Sequence, residues 1–166
     1  MKFIKTLLAL GFIGIATSCN NDSQNTANTE QGPVEEQSIA VDFSGNYVTP
    51  EYLDRDKGYD WVAVTATKLS DSTLHISIRS RADKKKPTCT FDADANRLSA
   101  NIFKTTVNGK NILYTFGEKN MTIGTEKKED VGILNFYCSG GGSLAGTYNK
   151  ISEPLDSLQM EGVNRK

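Results

Sequence analysis

The sequence predicts an all-β domain, a small antiparallel β-barrel of about eight strands with a short C-terminal tail. Three observations carry this expectation. From residue 39 to 151, apolar and polar residues alternate with period two, the signature of strands with one face buried. The alternating runs are short and recur at roughly the 8–12-residue spacing of barrels and sandwiches. Turn-forming residues punctuate them: Asp71-Ser72, Asp94-Ala95-Asn96, Asn108-Gly109, Glu118-Lys119-Asn120 and Gly140-Gly141-Gly142. Closing such a meander is economical because closure leaves no exposed strand edge.

Taken in order, a first strand is expected over 39–48, broken near Gly45. The second covers 61–67, with Val62, Val64 and Ala66 on one face. In 73–81, Leu74, Ile76 and Ile78 face inward while His75, Ser77, Arg79 and Arg81 face outward. Further strands are expected at 88–91, 98–106, 111–116, 121–124, 131–138 and 143–151. Asn108-Gly109 is the strongest turn signal, because a two-residue type I′ hairpin needs positive φ at both central positions. In the tail, 152–166, one or two helical turns N-capped by Ser152 are expected, frayed as termini commonly are. A chain of this length supports one domain with a modest core. Eight strands enclose a space just wide enough for side chains or one small ligand. The expected core holds Trp61, Phe91, Phe116, Leu134, Phe136 and Tyr148.

The first residues read MKFIKTLLALGFIGIATSC, with Lys2 and Lys5 ahead of an apolar run from Leu7 to Ile15. That run is about nine residues long, the length of a signal-peptide core, whereas a membrane-spanning helix needs roughly 20. The stretch Ile15-Ala16-Thr17-Ser18-Cys19 resembles the lipobox of bacterial lipoproteins. The resemblance implies a signal peptide over 1–18, diacylglycerol attached to the Cys19 sulfur, cleavage before it, and palmitate or a similar acyl group on the new amine. It also implies a membrane partner through that anchor, in the cell envelope, with Asn20 rather than Asp leaning toward the outer membrane. Residues 19–38 lack aromatics and are rich in Asn, Gln, Ser and Thr, so they bury too little apolar surface to order. They read as a disordered tether to the barrel domain at 39–151.

Two further cysteines, Cys89 and Cys138, are an even pair in an exported protein and are expected to form a disulfide. Two buried thiols or half a metal site are the alternatives. With His75 as the one histidine and no CxxC spacing, a metal site has no support. The pairing sets Arg79, Arg81, Lys84, Lys85 and Lys86, all before Cys89, beside Ser139, Gly140, Gly141 and Gly142, which follow Cys138. Cations next to glycine N–H groups make a candidate corner for an anion or an acidic protein surface. Solvated lysines at a hairpin tip and a sharp glycine turn are the plainer reading of the same residues. The formal net charge of −1 indicates no nucleic-acid partner.

No catalytic constellation and no cofactor motif is legible. Asp92-Ala93-Asp94-Ala95-Asn96 begins like a calcium loop but has Arg97 where Gly is needed and Phe103 where Glu belongs, so a hairpin turn is expected there. Ser139-Gly140-Gly141-Gly142-Ser143 lacks a strand-to-helix context and a histidine base. His75 is expected to be wet and inert.

Two families of small barrels share features with the chain. Gly45-Asn46-Tyr47 resembles the Gly-x-Trp opening of lipocalins, with Tyr in place of Trp. In size, anchor, cysteine pair and strand pattern the chain is similar to the membrane-bound inhibitor of c-type lysozyme. That family inhibits through Ser-Gly-x-x-Tyr. Ser44-Gly45-Asn46-Tyr47 is one residue short of the motif and Ala145-Gly146-Thr147-Tyr148 lacks its Ser, so no inhibitory residues carry over. The expectation is a non-enzymatic envelope lipoprotein that binds a protein or an anionic ligand, such as an inhibitor of a glycan-cleaving enzyme. A lipocalin-like binder of a small ligand and a structural accessory of an envelope complex are the alternatives.

Overall fold

The alternation resolves into eight antiparallel strands in a computed structural model that describes residues 41–82 and 88–160. They are β1 (Gly45–Val48), β2 (Val62–Lys68), β3 (Thr73–Ser80), β4 (Thr90–Arg97), β5 (Ile102–Val107), β6 (Lys110–Phe116), β7 (Asn120–Thr125) and β8 (Gly146–Ile151). Each pairs with its sequence neighbours, and β8 returns to β1 through Asn46↔Ile151 and Val48↔Asn149, closing the barrel. Register follows the pattern of apolar residues: Val64 faces Ile78 and Ala66 faces Ile76 inside, while Thr65 faces Ser77 outside. A one-residue slip would turn that whole apolar set to solvent. Asn108 and Gly109 both have positive φ, 50° and 74°, as a tight β5–β6 hairpin demands.

The interior is filled. Tyr47, Ile76, Ile78, Phe103, Ile112, Tyr114, Phe116, Met121 and Tyr148 are all buried in one cluster. A second, smaller cluster lies on the outer face of β1 and β2, because Val48 and Ala63 alternate with inward Tyr47 and Val64. The 3-10 segment Pro50–Lys57 brings Tyr52 onto it, and Tyr52 meets Trp61 edge to face at 4.9 Å. Ile151, Leu155 and Met160 complete the cover.

Several expectations are corrected. Residues 131–138 are not a strand: they follow a 3-10 turn at Lys128–Asp130 and contain the helical turn α1 (Ile133–Phe136). There Ile133 and Leu134 are adjacent and both buried, which a strand's alternation forbids, and with Leu144 they cap one end of the barrel. Phe136 consequently points out, 76 % exposed, instead of joining the core. Asp92 to Asn96 is not a hairpin turn but the middle of β4, whose polar residues face solvent while Ala93 and Ala95 face inward. The strand expected at 88–91 therefore runs on to Arg97, and the first strand is confined to Gly45–Val48. The tail is fastened as far as Met160: Ala82 N–H donates to the Gln159 carbonyl at 2.7 Å and Asp156 N–H to the Tyr52 hydroxyl at 2.8 Å. Its helical turn, α2 (Ser157–Met160), begins five residues later than Ser152.

Candidate functional site

At one end of the barrel the segment before β1, the β4–β5 and β6–β7 turns and the end of β8 converge on a pocket of about 350 Å³. Its floor is aromatic. Phe43 stacks on Phe116 with ring centroids 4.9 Å apart and meets Phe103 edge-on at 6.1 Å. Phe43 is held there because the buried Tyr47 hydroxyl donates to its carbonyl at 2.8 Å. Arg97 closes the side of the stack, its guanidinium 4.5 Å from the Phe103 ring centroid. Nε and Nη1 of Arg97 donate to the carbonyls of Asp71 and Ala100, at 2.9 and 2.6 Å.

Val41, Asp42, Asn101, Gly117, Glu118 and Lys150 form the rim. Asn101 is committed to the fold, its side-chain amide donating to the Phe116 carbonyl at 2.7 Å. Asp42 accepts from both the Ser44 hydroxyl and the Ser44 N–H, at 2.7 and 2.8 Å. Those bonds, aided by the charges of Lys68 and Lys150, hold its carboxyl below the usual range against a small desolvation. Burial, and secondarily the Asp42 charge, pushes the Tyr47 phenol up to about 12. Lys150 lies on the inward-facing parity of β8, two residues after Tyr148, and its ammonium sits 5.5 Å from the Tyr47 ring centroid.

The cysteine corner lies at the opposite end, where β3 gives way to β4 and β7 to β8. Cys89 and Cys138 are disulfide-bonded, with Cα atoms 4.1 Å apart, as the even cysteine pair predicts. Ser139 N–H donates to the Thr88 carbonyl and Thr90 N–H to the Tyr137 carbonyl, so the bond joins two paired backbones. The buried Ser80 hydroxyl accepts the Cys89 N–H at 2.9 Å. The glycine loop is therefore beside residue 88, with Gly140 and Gly141 both left-handed at φ 63° and 81°. Its expected cations are differently disposed. Arg79 pairs with Asp92 at 2.9 Å and also donates to the Ile78 and Phe91 carbonyls. Arg81 does not face outward: it is 5 % exposed, and its guanidinium donates to the carbonyls of Arg55 and Tyr59. Lys84, Lys85 and Lys86 lie outside the described residues, as do Cys19, the signal segment and the tether.

His75 is half-exposed on the outer face of β3, with Nδ1 2.7 Å from Asp94 Oδ1 across the strand pair. The neighbouring Ser77 hydroxyl is directed to Asp92 instead. Among the described residues no group of histidine, cysteine and carboxylate side chains is placed to hold a metal ion.

The mouth pocket escaped the sequence reading because its floor and rim come from four segments far apart in the chain. The one local signal is Lys150, a charged residue on the inward-facing parity of a strand that otherwise buries Tyr148. No known protein family, curated protein or solved structure matches the chain.

Proposed function

We propose that this is a lipid-anchored protein of the bacterial cell envelope which, its interior being filled by side chains, binds a small ligand at the mouth of its barrel and catalyses nothing. The observation that carries the binding site is the pocket of about 350 Å³ over the Phe43–Phe116 stack, within the size range of small-molecule sites. Its walls are set by side chains already hydrogen-bonded to the fold, so the site is preformed and binding requires little ordering. With the barrel axis filled from Tyr47 to Leu134, a ligand lies on the mouth rather than down the middle. The lipid anchor rests on the segment ending at Cys19.

Native mass spectrometry of protein purified from envelopes tests the site. A retained small molecule, lost on Phe43→Ala, is the expected result; an unoccupied protein that also takes up no ligand from an amphiphile panel refutes it. Replacing Cys19 by Ala is expected to abolish palmitate labelling and release the chain from the membrane fraction. Persistent labelling refutes lipidation at Cys19.

A second reading, capture of a protein partner, draws on Phe136. This aromatic side chain is 76 % exposed on a segment held by the Cys89–Cys138 bond, the disposition of an interface anchor. For a glycan-cleaving enzyme as partner, excess protein is expected to inhibit lysozyme and Phe136→Ala to relieve the inhibition. Undiminished lysozyme activity rejects that target.

A further inference from the structure

We infer that the mouth pocket selects an amphiphile with an anionic head, its apolar body on the Phe43–Phe116 floor and its head against the Lys150 ammonium. The inference rests on the mouth-pocket reading and specifies the chemistry of its ligand.

The position of Lys150 is set by packing. A Cβ on Gly45 would lie 3.1 Å from Lys150 Cε, so the lysine stem crosses β1 at the one residue type that leaves room for it. The ammonium then stands over the Tyr47 ring at 5.5 Å. No ion pair forms at Lys150 among the described residues. Lys57, Lys68 and Lys110, by contrast, meet Asp54, Asp71 and Asp130 at 2.8, 2.8 and 3.3 Å. A cation held in place without a paired carboxylate, beside an apolar surface, is suited to a charge brought by a ligand.

The two rim carboxylates do not reverse that sign. Asp42 is turned into its own loop, where one oxygen accepts two hydrogen bonds from Ser44. Glu118 stands on the exposed β6–β7 turn, where solvent screens it. The next residue, Lys119, accepts the Lys150 N–H through its carbonyl and adds a second positive charge at the same edge. Below this edge the surface is apolar, and Val41 at the lip is 62 % exposed, leaving a hydrocarbon or ring something to cover.

The test uses the full chain with Cys19→Ala, so that no acyl group of its own competes. Decanoate, decyl phosphate, decanol and decyltrimethylammonium are titrated below their micelle concentrations, and the amide signals of Gly117, Glu118 and Lys150 are followed by NMR. Decanoate or decyl phosphate is expected to bind about tenfold more tightly than decanol, the worth of one charge-assisted hydrogen bond. The pair distinguishes a carboxylate from a phosphate head. Lys150→Gln is expected to bring the anion to the level of decanol and leave decanol unchanged, while Lys150→Arg keeps the preference. Equal binding of anion and alcohol, or tighter binding of the cationic probe, overturns the inference but leaves the pocket standing. Absence of shifts with every probe overturns the pocket reading, and this inference with it.

Discussion

Trp61 donates its indole Nε1–H to Gln159 Oε1 at 2.9 Å, which fastens the last described helical turn to the outside of the barrel. The Gln159 carbonyl accepts from Ala82 N–H, and Asp156 reaches Tyr52 and Arg55, so the tail shields an aromatic cluster built on β1 and β2. Gln159→Ala is expected to destabilise the domain by about 1 kcal/mol, the net worth of one hydrogen bond. Removing residues 152–166 is expected to do more, by uncovering the ring. Trp61 is the only tryptophan in the chain, so its fluorescence reports directly. A red shift is expected on truncation; an unchanged emission maximum would mean that the tail does not cover it.

Much of the fold was legible because a small barrel imposes period two on nearly every residue of its wall. Leu74, Ile76 and Ile78 could be placed on one face from spacing alone, and Asn108-Gly109 announced its hairpin through conformational demand. The failures have local causes. Residues 131–138 carry strand-forming side chains, yet capping the barrel end required two adjacent ones inward, and packing overrode propensity. In β4, Asp92, Asp94 and Asn96 resemble a turn by composition, but each lies on the wet face and meets a β3 partner: Ser77, His75 or Thr73. The mouth site was illegible for another reason. Phe43, Phe116 and Lys150 become neighbours only when β8 closes on β1, a contact no window of sequence contains.

The disulfide should dominate the stability of the cap. Cys89 and Cys138 are 49 residues apart, and closing a loop of that size contributes about 4 kcal/mol in the chain-entropy model. Gly142 packs against the bond so closely that a Cβ there would be 3.3 Å from Cys138 Cβ and 3.5 Å from Cys89 Sγ. Reduction is expected to lower the thermal midpoint markedly, and Cys89→Ala with Cys138→Ala to reproduce the reduced value. Coincident midpoints for oxidised and reduced protein would refute this.

Arg81 is expected to be a structural cation. Its buried guanidinium donates to the carbonyls of Arg55 and Tyr59, tying the end of β3 to the 3-10 segment. Arg81→Leu strands those acceptors, and a loss of about 2–3 kcal/mol is expected in denaturant unfolding. Arg79→Leu removes a half-exposed pair with Asp92 and should cost less than about 1 kcal/mol. Equal effects of the two substitutions would contradict the assignment.

Alkaline pH should unfold the domain through its buried phenols. Burial raises Tyr47 and Tyr148 from 10.0 to about 12. In the unfolded chain these groups lose their protons near the ordinary tyrosine value, while in the folded state they keep them. The stabilisation is therefore intact below pH 10 and declines as pH rises toward 12. Each phenol contributes a slope of up to about 1.4 kcal/mol per pH unit in that window. Tyr148→Phe is expected to flatten the decline of thermal midpoint with pH, and an unaltered slope would refute it.

Gly45 is where the fold and the mouth site meet. Its φ of 137° is one that residues with a Cβ rarely adopt, and the Lys150 stem fills the space a Cβ would need. Gly45→Ala therefore combines a backbone penalty of about 1–3 kcal/mol with displacement of the lysine. Lys150→Gln removes only the charge. The alanine variant is expected to lower both the thermal midpoint and the preference for an anionic amphiphile, the glutamine variant only the preference. If Gly45→Ala destabilises the barrel yet keeps full selectivity for decanoate over decanol, the glycine serves the strand alone and does not position Lys150.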